Sequence, residues 1–180
     1  MKQTNIFKTL SLLAVTILVG CAQPAKMEQM VVHPADLDVS TMSPLFSKAI
    51  AMDIVSGGKK TNPLWMSDVS SEDFGKALEM SLKGVGIFAI EKGRYALNAK
   101  LLSVMKPFMG FNMTVHSTVH YTLMDLETKT MVFDEDIKAS YTATVGDAFS
   151  GVTRLKMANE GSIRENIHRF LLALSALSLK

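Results

Sequence analysis

NMTVHSTVHYTLMD, residues 112–125, alternates with a period of two along its whole length. Met113, Val115, Ser117, Val119, Tyr121 and Leu123 share one side, and Thr114, His116, Thr118, His120 and Thr122 share the other. A helix repeats every 3.6 residues, so this pattern requires a long strand with one face on a core and one face wet. Asp125 to Thr130 is a polar hairpin connection of several residues. MVFDEDIKASYTA, residues 131–143, then returns with Met131, Phe133, Ile137, Tyr141 and Ala143 inward and Asp134, Asp136, Lys138 and Ser140 outward. Glu135 interrupts the inner series, as at a twist or bulge.

Outward from this hairpin the periods change in an orderly way. Tyr95, Leu97, Ala99, Leu101 and Ser103 alternate against Arg94, Asn98 and Lys100, and Lys106-Pro107 and Gly110 end that strand. SKAIAMDIV, residues 47–55, reads as a first strand, closed by the Gly57-Gly58 to Pro63 break. Trp65 lies in that connection and is expected to cover a core edge. Ser70 can cap a helix, Asp73 can neutralise its orphan amides, and Val69 and Phe74 hold the two hydrophobic-staple positions. Phe74, Ala77, Leu78, Ser81, Leu82 and Val85 then form one narrow stripe, with Gly84 and Gly86 as stops. The chain closes on a helix over 162–177, with Ile163, Ile167, Phe170, Leu171 and Leu174 apolar. Val152, Leu155 and Ala158 keep similar spacing upstream, where Gly161 marks a bend and Ser162 a fresh cap.

The order is β-α-β-β-β-α. One-sided helices matched to a one-sided sheet give an α+β two-layer sandwich: about four strands, mainly antiparallel, with two helices packed on one face. AQPAKMEQMVVHPADLDVSTMSP, residues 22–44, carries three prolines and no sustained period. It reads as a tether, which leaves 45–180 as a single domain.

The first twenty residues are of another kind. Lys2 and Lys8 precede an apolar run from Leu10 to Val19, interrupted only by Ser11 and Thr16. Ten helical residues span about 15 Å, half a hydrocarbon core, which suits a secretory signal peptide and not a transmembrane helix. Leu18-Val19-Gly20-Cys21 resembles the bacterial lipobox. That resemblance implies cleavage before Cys21, diacylation of its thiol and acylation of the new amino end. The residue after Cys21 is Ala22, not the aspartate that retains lipoproteins at the inner membrane, so the resemblance points to the outer membrane. The competing reading is a buried cysteine opening a cytoplasmic domain, and it leaves the apolar run beside a polar tether unexplained. Cys21 is the chain's single cysteine, so no internal disulfide can form.

The chain carries 19 Lys and Arg against 17 Asp and Glu, and the excess is Lys2 and Lys8. Removal of 1–20 leaves a balanced surface, which gives no electrostatic case for a nucleic-acid partner.

Reaction chemistry finds little foothold. There is no glycine-rich phosphate loop after a strand, no HExxH, no GxSxG and no metal-type cysteine spacing. His116 and His120 share a strand face but stand about 13 Å apart, too far to share one ion. Asp134 and Asp136 lie roughly 6–7 Å apart. They read as a solvated strand edge, with a carboxylate pair of glycosidase type as the alternative. No catalytic residue, metal ligand or cofactor is therefore assigned. Two segments suggest a partner patch. SVMKPFMGFNM (103–113) gathers Met105, Phe108, Met109 and Phe111 in a loop, and RLKMANEGSIRENIHRF (154–170) carries Arg154, Arg164 and Arg169 on a helix. Core-facing loop residues and an ordinary charged helix face are the competing readings.

FGKALEMSLKGVGIFA (74–89), leading to YALNAKLLSV (95–104), is similar to the first helix and second strand of small outer-membrane lipoproteins with an LptE- or YajG-like sandwich. The matching positions are Ala77, Leu78, Ser81, Leu82 and Gly86, the glycine falling one place early. The resemblance implies an accessory subunit of envelope machinery, lipid or lipopolysaccharide transport included, and brings no catalytic residues. The expected function is thus a non-enzymatic, lipid-anchored periplasmic protein that binds another envelope component. An envelope hydrolase, or a lipid carrier with an enclosed apolar cavity, is the alternative.

Overall fold

A computed structural model of the chain describes residues 23–38, 42–61 and 67–177; Cys21 and Trp65 lie outside them. A short helix α1 (Met27–Met30) comes first, then β1 (Ile50–Ser56), α2 (Ser71–Gly84), β2 (Tyr95–Met105), β3 (Met113–Asp125), β4 (Thr130–Ala143) and α3 (Gly151–Ser175). The sheet order is β1-β2-β3-β4. β1 runs parallel to β2, which the α2 crossover requires, and the other two pairs are antiparallel. This is the expected two-layer α+β sandwich, an open sheet with its helices on one face.

The inner row of β3 is buried from Met113 through Leu123. Across it lie Leu97 opposite Leu123 and Ala99 opposite Tyr121 on one side, and Ile137 opposite Val119 on the other. Two bulges break the alternation on the neighbouring strands. The register shifts between Leu101 and Ser103, so Val104, opposite Ser117, turns to the core in place of Ser103. A second shift sets Phe133 opposite Leu123 but Met131 opposite Met124. The inward reading of Met131 is thereby corrected: it faces out and is 47% exposed. The bulge sits at Val132, not at Glu135. Glu135 pairs with Tyr121 on the inner face, and reaches solvent because β4 is the sheet's edge.

α2 begins and ends as its residues dictate. Ser70 Oγ accepts from the Asp73 amide (3.0 Å), and the staple residues Val69 and Phe74 are both buried. At the other end the Gly86 amide donates to Lys83 O and the Ile87 amide to Leu82 O, both 3.1 Å. This paired cap needs a left-handed residue, and Gly86 supplies φ of +78°.

α3 is one unbroken helix of 25 residues, so Ser162 is not a fresh cap and Gly161 does not interrupt it. A Cβ there would lie 2.4 Å from the Tyr141 ring, and the missing side chain lets helix and β4 close up. Beside it a buried polar row joins the layers. Ser117 Oγ donates to Ser162 O (2.9 Å), Asn166 Nδ2 to Ile137 O (2.8 Å), and Tyr121 OH to Asn166 Oδ1 (3.1 Å). Burial pushes the Tyr121 hydroxyl well above its ordinary range. The Tyr121 ring stacks on Phe170 at 4.0 Å, and Phe133 meets Phe170 edge-on at 5.6 Å. These rings pack together between the sheet and α3.

The segment read as a tether joins the body far earlier than residue 45. Ala25, Met30, Val31 and Val32 are buried against α2 and α3. The Val32 amide donates to Ser81 Oγ (3.0 Å), and the Lys26 amide to Glu160 Oε1 (2.8 Å). Isolated polar anchors of this kind leave no period in a sequence.

Candidate functional site

Strand directions collect three features at one end of the sheet. The β2–β3 loop (106–112) and the β4–α3 loop (144–150) both lie there, and the described chain also enters there. The Ala25 amide donates to Asp68 O (3.3 Å), and the Lys106 ammonium pairs with the Asp68 carboxylate and donates to Ser67 O at 2.7 Å. Asn159 Nδ2 donates to the same carbonyl at 2.9 Å. Chain entry, the root of the first loop and the first turns of α3 thus meet at Ser67 and Asp68.

Both loops are held firmly while their apolar tips stay wet. Lys106 is almost fully buried against Asp68, which anchors the root of the 106–112 loop. Arg154, also buried, donates from one guanidinium nitrogen to Ala148 O (2.8 Å) and Phe149 O (2.6 Å). Asp147 turns back to accept from the Thr144 amide and hydroxyl (2.7 and 2.8 Å), and chiefly the amide bond holds its carboxyl below the usual range. Around this frame Phe108, Phe111 and Phe149 are each more than 80% exposed, and Met109 is 74% exposed. Such a concentration of apolar surface is uncommon on a soluble body. Phe149 carried no signal in the sequence, because a lone Phe in a short loop is as readily a core residue.

The seven residues of the candidate patch are not one surface. Phe108, Met109 and Phe111 stand together at the loop end, and Arg154 supports the neighbouring loop from beneath. Arg164 lies farther along α3, where it donates to Gln29 O (3.1 Å) and sits over the Tyr141 ring. It borders a cavity of about 390 Å³ with His33, Asp36, Glu165 and His168. Arg169 pairs with Glu165 (2.7 Å) and donates to Lys138 O (3.1 Å). With Met105, His116 and Lys138 it lines a second, open groove of about 360 Å³ across β3 and β4.

His120 and His116 occupy the wet face of β3. His120 Nδ1 lies 2.8 Å from Asp136 and Nε2 3.6 Å from Asp134, so the two strand-edge carboxylates flank one imidazole. Among the described residues no group of three such side chains is placed to hold a metal ion. Glu160, four residues before Arg164, takes its partners elsewhere: the Lys26 amide at 2.8 Å and the Lys156 ammonium at 3.8 Å. It is buried under Lys26, and desolvation raises its carboxyl above the ordinary value.

No protein-family model matches the chain, and no curated protein matches it in sequence. Among solved structures, the fold is similar to protein XCC0632 from Xanthomonas campestris. The TM-score is 0.50 at 7% identity, over 68% of this chain and 80% of that one. Protein CT253 from Chlamydia trachomatis also gives 0.50, at 11% identity, over 72% of this chain and 98% of its own. A minor lipoprotein from Acinetobacter baumannii gives 0.47 at 11% identity, over 72% and 94%. The likeness is one of fold, shared with small bacterial domains, and does not single out the LptE- or YajG-like sandwich. No helix among the described residues is long and apolar enough to cross a membrane.

Proposed function

We propose that this chain is a lipid-anchored accessory protein of the bacterial envelope, held at the outer membrane through Cys21 with its domain in the periplasm. In this reading residues 1–20 are removed, the thiol of Cys21 is acylated, and the folded body performs no reaction. The observation that carries it is the meeting of the lipobox with the fold: Leu18-Val19-Gly20-Cys21 ends four residues before Ala25 enters the core. Two or more acyl chains hold a protein firmly where one is marginal, each buried CH₂ contributing about 0.8 kcal/mol. Confinement to a membrane plane then raises the local concentration of any partner in that membrane.

The partner is another envelope protein, and its docking surface is the groove of Met105, His116, Lys138 and Arg169, which runs across β3 and β4. A place in lipid or lipopolysaccharide transport would follow the LptE- or YajG-like resemblance. Crosslinking in intact cells, followed by capture, tests this. A discrete envelope protein should be captured by the wild-type chain and lost with Arg169→Glu and with Cys21→Ser. Equal capture by all three forms, or small-molecule turnover without any variant-sensitive partner, would contradict it. The hydrolase and lipid-carrier readings lack a favouring observation.

A further inference from the structure

We infer that the loop end of the domain is a second membrane contact: Phe108, Met109, Phe111 and Phe149 enter the lipid leaflet that holds the anchor, fixing the domain upright on it. This rests on acylation of Cys21, and adds to it an orientation and a lipid-binding surface.

The occupant follows from distance. Three residues separate Cys21 from Ala25, four steps of chain with a reach of at most about 14 Å. Ala25 is hydrogen-bonded to the same Asp68 that holds Lys106, the residue beginning the apolar loop. An anchor this short holds the Ser67–Asp68 junction at the headgroups, and the loops rooted there are the part of the domain nearest the acyl chains. Their chemistry suits that position. The 106–112 loop has a single charge, Lys106, and it is turned inward. The 144–150 loop has only Asp147, folded back on Thr144. Three exposed lysines stand beside them, Lys26 after Ala25 and Lys59 and Lys60 where the Lys59 amide donates to Val69 O, against one exposed acid near the entry, Glu28. Of the two acids in the first turn of α2, Glu72 is paired with Lys76 and Asp73 accepts from the Ser70 hydroxyl. Apolar tips flanked by lysines are the pattern of interfacial lipid binding, the tips in the acyl boundary and the ammonium groups at phosphate. Because Lys106 and Arg154 hold the loops in place, insertion requires no ordering of the chain.

The test uses the only free thiol an acylated chain would have. Phe108→Cys, and Glu127→Cys as reference, are made in the full-length gene, purified from membranes, and labelled with an environment-sensitive fluorophore. They are then reconstituted in vesicles of phosphatidylethanolamine and phosphatidylglycerol, with and without doxyl-labelled lipid. Glu127 sits in the β3–β4 hairpin, roughly 40 Å from the loops along the sheet. The expected result is that the label at 108 loses access to aqueous iodide and is quenched by doxyl lipid, while that at 127 shows the reverse. Equal iodide access at both sites would overturn the inference and leave the anchor standing. Protection at 108 without doxyl quenching would also overturn it, and would assign the loops to a protein contact. Intact mass separates the premise: two labels per chain and failure to float with vesicles would remove the anchor and the inference together.

Discussion

Gly161 faces the Tyr141 ring so closely that even a methyl group does not fit. Gly161→Ala should therefore destabilise the domain by about 1–3 kcal/mol through overpacking, despite the better helix propensity of alanine. In a Tyr141→Ala background the same change should become neutral or stabilising, and urea unfolding of the four-member cycle measures the coupling. Glu160 gives a prediction of a different kind. Its raised carboxyl pKa means that, between the ordinary value and the raised one, the folded state binds more protons than the unfolded. Stability is thus lost as pH rises through that window, and stays lost above it. Glu160→Gln keeps an oxygen for the Lys26 amide and removes the ionisation. Its stability relative to wild type should increase from mildly acid to neutral pH, and a difference independent of pH would refute the assignment. Neither residue could be read correctly in isolation. A glycine in a helical pattern permits a bend or a close approach, and an acid four residues before an arginine suggests a surface pair. Which applies depends on Tyr141 and Lys26, which are distant in sequence.

At the scale of elements, what could be read was whatever repeats. The inner row of β3, the stripe of α2 and its Ser70 cap follow from local periods that tertiary packing reinforces. Met131 and Ser103 were misplaced because one bulged residue reverses every side chain beyond it, and a bulge is a property of two strands in register. The caps and turns are individually testable. Gly86→Ala places a Cβ at positive φ in the α2 cap and should cost about 1 kcal/mol, read from the urea midpoint. The β3–β4 hairpin is fixed by Asp125, which accepts from Arg94 (2.7 Å) and from the Glu127 amide (2.9 Å). Those bonds, the Arg94 one foremost, hold its carboxyl below the ordinary value. That contribution is present in full above the usual carboxylate range and disappears as pH falls through the depressed value. Asp125→Asn should flatten this acid-side loss of stability. An unchanged acid limb in the variant would show that the pairing contributes nothing.

For the whole molecule, the early entry of the chain into the core has the widest consequence. A segment that resembles a loose spacer supplies Met30 and Val32 to the space over α2 and α3, so the folded body begins at Ala25, four positions after Cys21. Met30→Ala should cost about 2–5 kcal/mol, the range for emptying a buried methionine site. A tether lying free of the body would leave urea unfolding unaltered. The candidate patch could be found in the sequence only as residues without a place: its loop half was an apolar surplus, and its arginines a charged helix face. The fold separates these, with the aromatic tips at the chain-entry end and Arg169 in the open groove. The account as a whole depends on Cys21, and intact mass spectrometry of the chain extracted from cell membranes tests it most directly. The predicted species begins at Cys21 and carries acyl chains on its thiol and amino group. A chain still bearing residues 1–20, with a free thiol and recovered in the soluble fraction, would contradict it.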